Sequence, residues 1–135
     1  MMTALACLTA AIYFEARNQP IVGQYAVAEV VMNRVEDPGH PDDVCAVVKQ
    51  GYERGDHLCQ FSFYCDGKPE TMDEPLARRQ AEAIATAMLD DRTDFTMGAH
   101  FYHVDGLKIR WTRGLEALIV IGDHRFYTYK RKEGE

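Results

Sequence analysis

The chain has 135 residues, of which 47% are hydrophobic and 27% are charged, and its formal net charge is −6. This length and composition suit one domain with one hydrophobic core over residues 1–135, without a linker, an internal repeat or a low-complexity segment. The acidic balance argues against nucleic acid as a partner, since nucleic-acid binders carry a basic excess, and no apolar run reaches the roughly 18 to 20 residues of a membrane-spanning helix.

The first half of the sequence predicts helices. One helix is expected over residues 3–17, ended by the Asn-Gln-Pro sequence at 18–20. A second helix should cover residues 21–35 and pack beside the first, because the link between them is short. A third, short helix is expected up to Gln50, capped at its start by one of the two aspartates at 42 and 43.

The second half changes from helical to strand-like patterns. A helix is expected over residues 75–90, with Asp73 as its cap. A strand should follow at 99–104, and residues 118–121 and 125–129 should form a tight hairpin. Helices followed by strands predict an α+β domain, mostly helical, with a small antiparallel sheet toward the C-terminus.

Glu15 continues an apolar helical stripe. Steps of three and four residues place it on one face with Leu5, Leu8 and Ile12. Burial on that face and the negative end of the helix dipole would both disfavour the charged carboxylate. We therefore expect a raised pKa and a general acid usable near neutral pH. The alternative is an ordinary ion pair with Arg17 or another base.

The residues around Glu15 match a known family. The block Ile12-Tyr13-Phe14-Glu15-Ala16-Arg17 is followed, in order, by matching blocks at 23–28, 31–35, 59–63, 65–67, 101–103, Trp111 and 121–127. The sequence thereby resembles the SleB-type cell wall hydrolases, which cleave peptidoglycan, over nearly the whole chain. The resemblance implies a lysozyme-like, transglycosylase-type fold. One position departs from the family pattern, since Asn18-Gln19 stands where Gly-Glu is expected.

A single well-placed carboxyl group favours an intramolecular reaction. Glu15 would protonate the glycosidic oxygen and then deprotonate the C6 hydroxyl of N-acetylmuramic acid, which closes on its own C1 to give a 1,6-anhydro product. The resemblance implies the same lytic transglycosylation. We expect no cofactor and no metal. A muramidase that uses water would need a second carboxylate, for which Asp66 is the best candidate.

A sugar-binding cleft needs flat apolar faces and a few hydrogen-bonding groups. The aromatic candidates are Phe61, Tyr64, Tyr102 and Trp111, and the polar candidates are Gln24, Ser62 and His103. Asn33 and Arg34 also fall in a family block, but a structural role is expected for both. The segment 108–132 is basic, and it could serve stem-peptide carboxylates or simply form a solvated face.

The four cysteines allow three pairings if all are oxidised. Cys59 with Cys65 is the favoured bridge, which leaves Cys7 with Cys45; four reduced thiols are the alternative. Their spacing fits no common zinc pattern.

Three other functions compete with the transglycosylase. A zinc amidase or peptidase is disfavoured because no His-Glu-x-x-His pattern occurs among the five histidines. A cysteine hydrolase lacks an obvious nucleophile context. A non-catalytic wall-binding domain is disfavoured by the retention of Glu15.

The N-terminal residues do not resemble a signal sequence. They lack a basic start, and their apolar residues run directly into the Glu15 helix. We therefore expect either a phage lysin made in a host cytosol or a chain trimmed from a longer precursor. In both cases the expected protein is a monomer that acts on the peptidoglycan glycan strands of the bacterial wall.

Overall fold

A computed structural model describes residues 2–50, 61, 63 and 71–130. Four helices come first in these residues: α1 (Ala4–Ala16), α2 (Ile21–Glu36), α3 (Val44–Val48) and α4 (Pro75–Asp90). They are followed by β1 (Phe101–Val104), a 3-10 helix (Arg110–Gly114), β2 (Leu115–Ile121) and β3 (His124–Tyr129). The predicted α+β architecture is confirmed.

The helix starts follow from local sequence, with one exception. Thr3 caps α1 by accepting a hydrogen bond from the Ala6 amide at 3.1 Å, and Asp43 caps α3 in the same way. The prediction that Asp73 caps α4 was wrong. The residue before that helix is Glu74, which makes no capping bond, and the helix begins with Pro75, whose fixed φ suits the first turn and which has no N–H to satisfy.

Helix α1 is the centre of the helical layer and packs against α2, α3 and α4. Its Leu8 and Ile12 are fully buried, because α1 is apolar around most of its circumference. A disulfide between Cys7 and Cys45 ties α1 to α3. The other pair that the sequence favoured, Cys59 with Cys65, lies outside the described residues.

The sheet is antiparallel with strand order β1-β3-β2. β2 begins at Leu115, earlier than predicted, and an irregularity between Ala117 and Ile119 accommodates the added length. The 3-10 helix before it had not been predicted. One face of the sheet buries Phe126 against Ala26 of α2, so α2 contacts both the helical layer and the sheet.

The carboxylate of Glu29 on α2 is fully buried and fixes the segment that leads into β1. Its Oε1 accepts hydrogen bonds from the backbone N–H and the hydroxyl of Thr96, at 2.9 and 2.8 Å. Its Oε2 accepts from the Phe95 N–H at 2.8 Å and the Thr93 hydroxyl at 2.5 Å. No motif in the sequence points to this residue.

Two further side chains of α2 anchor the start of β1. Asn33 donates to the carbonyl of Ala99 at 2.8 Å, and Arg34 Nε donates to the carbonyl of His100 at 2.7 Å. Both side chains thus tie α2 to the start of β1, which is the structural role expected of them, and Arg34 has a further role beside Glu15. The contacts hold β1, and with it Tyr102, at a fixed position relative to the helices.

Candidate active site

Glu15 lies in the last turn of α1 and is half-buried. Burial raises the pKa of the Glu15 carboxyl group, while a hydrogen bond from Tyr102 and the positive charge of Arg34 act in the opposite direction. The raised pKa agrees with the expectation from the helical stripe. The two groups that moderate it come from β1 and α2, so that three elements meet at this carboxyl group.

Tyr102 brings a neutral donor to Glu15. Its ring packs against Phe126 and His124, with centroid distances of 5.6 and 4.9 Å. Burial, together with the charge of Glu15, raises the pKa of Tyr102 well above its ordinary value. The hydroxyl therefore keeps its proton across the physiological range and is available to donate a hydrogen bond to the carboxylate.

Arg34 is buried beside this pair with only 5% of its surface exposed. Its guanidinium carbon lies 5.5 Å from the ring centroids of both Phe61 and Phe101. Nε is used by the His100 carbonyl, whereas Nη1 is buried without a hydrogen-bond partner. The guanidinium group is thus held between two rings and interacts electrostatically with Tyr102 and Glu15.

The two residues before Glu15 make separate contacts. The Tyr13 hydroxyl accepts a hydrogen bond from the Glu74 amide at 3.1 Å, and the Phe14 ring stacks on Phe63 with centroids 4.8 Å apart. These contacts attach the end of α1 to the start of α4 and to residue 63.

The aromatic candidates differ in accessibility. Trp111 is 48% exposed, and its ring lies 6.1 Å from Phe101 and 5.6 Å from His103, measured between centroids. Phe61 is only 1% exposed, so it has no face to offer a sugar and instead packs beneath the Arg34 guanidinium group. This placement differs from the expectation for Phe61.

Two of the polar candidates are also buried. Gln24 donates to the carbonyl of Gln19 at 3.2 Å. Both ring nitrogens of His103 are engaged, one with the Val104 carbonyl and the other with the Tyr127 hydroxyl at 2.9 Å. His103 therefore supports the Trp111 ring rather than presenting a free polar atom. Ser62, Tyr64 and Asp66 lie outside the described residues.

Gln19, which stands where the family pattern has glutamate, links two turns of the structure. Its amide nitrogen donates to the Asp123 carboxylate at 3.1 Å, and its amide oxygen accepts from the Asp123 backbone N–H at 2.9 Å. The link joins the α1–α2 turn to the β2–β3 turn at Gly122. A glutamate at position 19 could accept from the N–H but would face the Asp123 carboxylate with a second negative charge.

The described residues contain no cluster of three or more His, Cys, Asp or Glu side chains suited to a metal ion. In the same part of the chain, no helix is both long and apolar enough to cross a membrane.

The sequence pattern of the Cell Wall Hydrolase family matches residues 18–127, and Glu15 lies just before that range. A protein named Spore cortex-lytic enzyme from Halalkalibacterium halodurans is 32% identical over 117 residues, which cover 86% of this chain and 32% of the relative. A protein of the same name from Bacillus subtilis is 28% identical over 119 residues, or 88% of this chain and 35% of the relative. The chain thus spans about a third of the length of these curated relatives.

Two solved structures share the fold. The catalytic domain of the germination-specific lytic transglycosylase SleB from Bacillus anthracis has a TM-score of 0.70 at 24% identity, with 93% of both chains covered. The catalytic domain of Bacillus cereus SleB has a TM-score of 0.68 at 25% identity, covering 93% of this chain and 89% of the other. The SleB-type resemblance read from the sequence is confirmed, and, since the family pattern spans most of the residues, this chain belongs to the Cell Wall Hydrolase family.

Proposed function

We propose that this chain is one catalytic domain that cleaves the glycan strands of peptidoglycan by lytic transglycosylation, with Glu15 as its acid and base. The observation that carries the proposal is the half-buried Glu15 carboxyl group with a raised pKa, hydrogen-bonded by Tyr102 and close to the charge of Arg34. The names of the structural relatives, which include a lytic transglycosylase, favour the same reaction.

The first step uses the protonated form of Glu15. Its proton passes to the oxygen that links N-acetylmuramic acid to the next sugar, and the bond from that oxygen to C1 of the muramic acid breaks. A carboxyl group with a raised pKa still holds this proton near neutral pH. Tyr102 and Arg34 then stabilise the carboxylate that remains, through a hydrogen bond and a positive charge.

The second step returns the proton to Glu15. The carboxylate takes it from the C6 hydroxyl of the same N-acetylmuramic acid, and the C6 oxygen forms a bond to C1. The products are a strand with a free terminal sugar hydroxyl and a strand that ends in the 1,6-anhydro sugar. Of the described residues, Tyr102 and Arg34 are the groups that act on Glu15, and both can serve either step.

Mass spectrometry of fragments released from purified peptidoglycan tests the proposal. The wild type should release 1,6-anhydro-N-acetylmuramic acid ends, and Glu15→Gln should release almost none. Glu82→Gln, which alters an exposed residue of α4, is the matched control and should leave the fragments unchanged.

Other fragments would identify a different activity. Reducing-end N-acetylmuramic acid would indicate a muramidase that uses water and a second carboxylate, with Asp66 as the first residue to substitute. Free stem peptides would indicate an amidase. Wall binding without any release, unchanged in Glu15→Gln, would indicate a binding domain.

We further propose that the domain acts as a monomer on the bacterial wall, in the periplasm or outside the cell. A phage lysin remains one hypothesis for its origin.

A further inference from the structure

Residues Lys108 to Arg113, called here the 108–113 segment, carry three exposed cations at positions 108, 110 and 113. They line a surface depression of about 360 Å³ together with Leu107, Ile109 and Thr112, and no acidic side chain lines it. Three partly exposed arginines of the described residues have a carboxylate partner, in the pairs Arg17–Glu74, Arg92–Glu36 and Arg125–Asp105. The cations of the 108–113 segment belong to none of the described ion pairs.

An exposed tryptophan stands among these cations. Trp111 rests on the aromatic side chains of the outer sheet face, with its ring 6.1 Å from Phe101 and 6.4 Å from Tyr127. Thr112 closes the turn by donating its N–H and its hydroxyl to the carbonyl of Ile109, at 3.2 and 2.8 Å. The segment therefore presents one supported aromatic face flanked by positive charges.

The segment is connected to Glu15 through two contacts. Phe101 lies beneath Trp111 on one side and beside the Arg34 guanidinium group, 5.5 Å away, on the other. Arg34 in turn acts electrostatically on Glu15. Phe101 thus lies between Trp111 and the guanidinium group that acts on Glu15.

Peptidoglycan contains both kinds of group that this surface could bind, namely sugar rings and carboxylates. Its sugar rings have apolar faces that stack on aromatic side chains. Its muramyl residues carry stem peptides whose carboxylates form charge-assisted hydrogen bonds with arginine and lysine. Peptide-free glycan offers only the first of these, so the cations would distinguish the two forms.

We propose that the 108–113 segment binds a muramyl unit that carries its stem peptide, with Trp111 stacked on the sugar and the three cations on the peptide carboxylates. The inference rests on the proposed function, since it places the same glycan strand at Glu15 and at Trp111. It makes peptide-bearing strands the preferred substrate over strands from which the peptides have been removed.

Trp111 is the only tryptophan of the chain, so its fluorescence reports directly on this surface. The experiment uses Glu15→Gln protein, titrated with soluble glycan strands that keep their stem peptides and with the same strands after an amidase has removed them. Peptide-bearing strands should bind more tightly, and added salt should reduce the difference because exposed ion pairs are screened. Adding Arg110→Gln and Arg113→Gln should weaken only peptide-bearing strands, by about threefold to tenfold.

Arg78→Gln with Arg79→Gln is the matched control, since it removes two exposed arginines from α4. This control should change neither affinity, and circular dichroism should show that both double variants are folded. Equal affinity for the two kinds of strand would overturn the inference. So would an equal effect of the two double variants, or tighter binding of a phosphate-rich wall polymer than of peptide-bearing glycan.

The test separates this inference from the proposed function because it needs no turnover. A wall-binding protein without transglycosylase activity would still prefer the peptide-bearing strands. A transglycosylase without that preference would release anhydro fragments equally well from both kinds of strand, and only the role of the 108–113 segment would be lost.

Discussion

Replacing Glu29 by glutamine should destabilise the protein although the two side chains have nearly the same shape. Each carboxylate oxygen accepts one hydrogen bond from a backbone N–H, Oε1 from Thr96 and Oε2 from Phe95. A glutamine side chain must turn its NH2 group toward one of them. Whichever way the amide is oriented, two donors then face each other in a buried position.

The size of the effect follows from those contacts. A buried donor left without an acceptor costs about 1 to 3 kcal/mol, and hydrogen bonds to a charged acceptor are worth about twice those to a neutral one. The neutral amide is easier to bury than a carboxylate, which offsets part of this loss. We expect the free energy of unfolding to fall by about 3 kcal/mol, a large share of the 5 to 15 kcal/mol that is usual for a domain.

Urea unfolding followed by circular dichroism measures this change. Wild type, Glu29→Gln and the exposed control Glu82→Gln should be compared at one pH, with the linear dependence of the free energy on urea extrapolated to water. The melting temperature of Glu29→Gln should fall by roughly 10 °C. A loss within about 0.5 kcal/mol of that of Glu82→Gln, the usual range for surface changes, would refute the reasoning.

Tyr102→Phe removes a hydrogen bond that lowers the pKa of Glu15, so this pKa should rise in the variant. Since the protonated acid starts the reaction, the alkaline limb of the pH–rate profile should move to higher pH, and an unmoved limb would contradict the role of Tyr102. Serines in place of Cys7 and Cys45, which are separated by 38 positions, should lower the free energy of unfolding by about 2 to 4 kcal/mol. Equal urea midpoints for this variant and the oxidised wild type would count against that estimate. Gly122→Ala should lower the melting temperature for two reasons. Gly122 has φ +59°, and an added Cβ would lie 2.4 Å from Oε1 of Gln19. An unchanged melting curve would mean that the turn relaxes.

The features that could be predicted from the sequence are those determined by residues close together in the chain. The starts of α1 and α2 follow from Thr3 and Pro20, and the position of Glu15 follows from the apolar stripe of α1. Local patterns of this kind were sufficient for these two helix starts, although not for the cap of α4. The 3-10 helix before β2 has no comparable pattern, so it was missed.

The surroundings of Glu15 could not be predicted in the same way. Tyr102 and Arg34 reach it from distant parts of the chain, and only the packing of α2 against the sheet brings them together. Phe61 looked like a sugar contact because its motif matches the family, whereas its 1% exposure shows that it supports Arg34. Glu29 lies in an otherwise apolar stretch of the sequence. The four hydrogen-bond donors around it belong to residues 93–96, so no neighbouring residue in the sequence indicates them.

The two hydrogen bonds between Gln19 and Asp123 restrict which pairs of residues can occupy these positions, which are far apart in sequence. An amide at 19 suits a carboxylate at 123 because it can donate to the side chain and accept from the backbone at once. A glutamate at 19 would require a neutral or donating residue at 123. Among relatives the two positions should therefore covary, and a protein that carries glutamate at 19 should rarely carry an acid at 123.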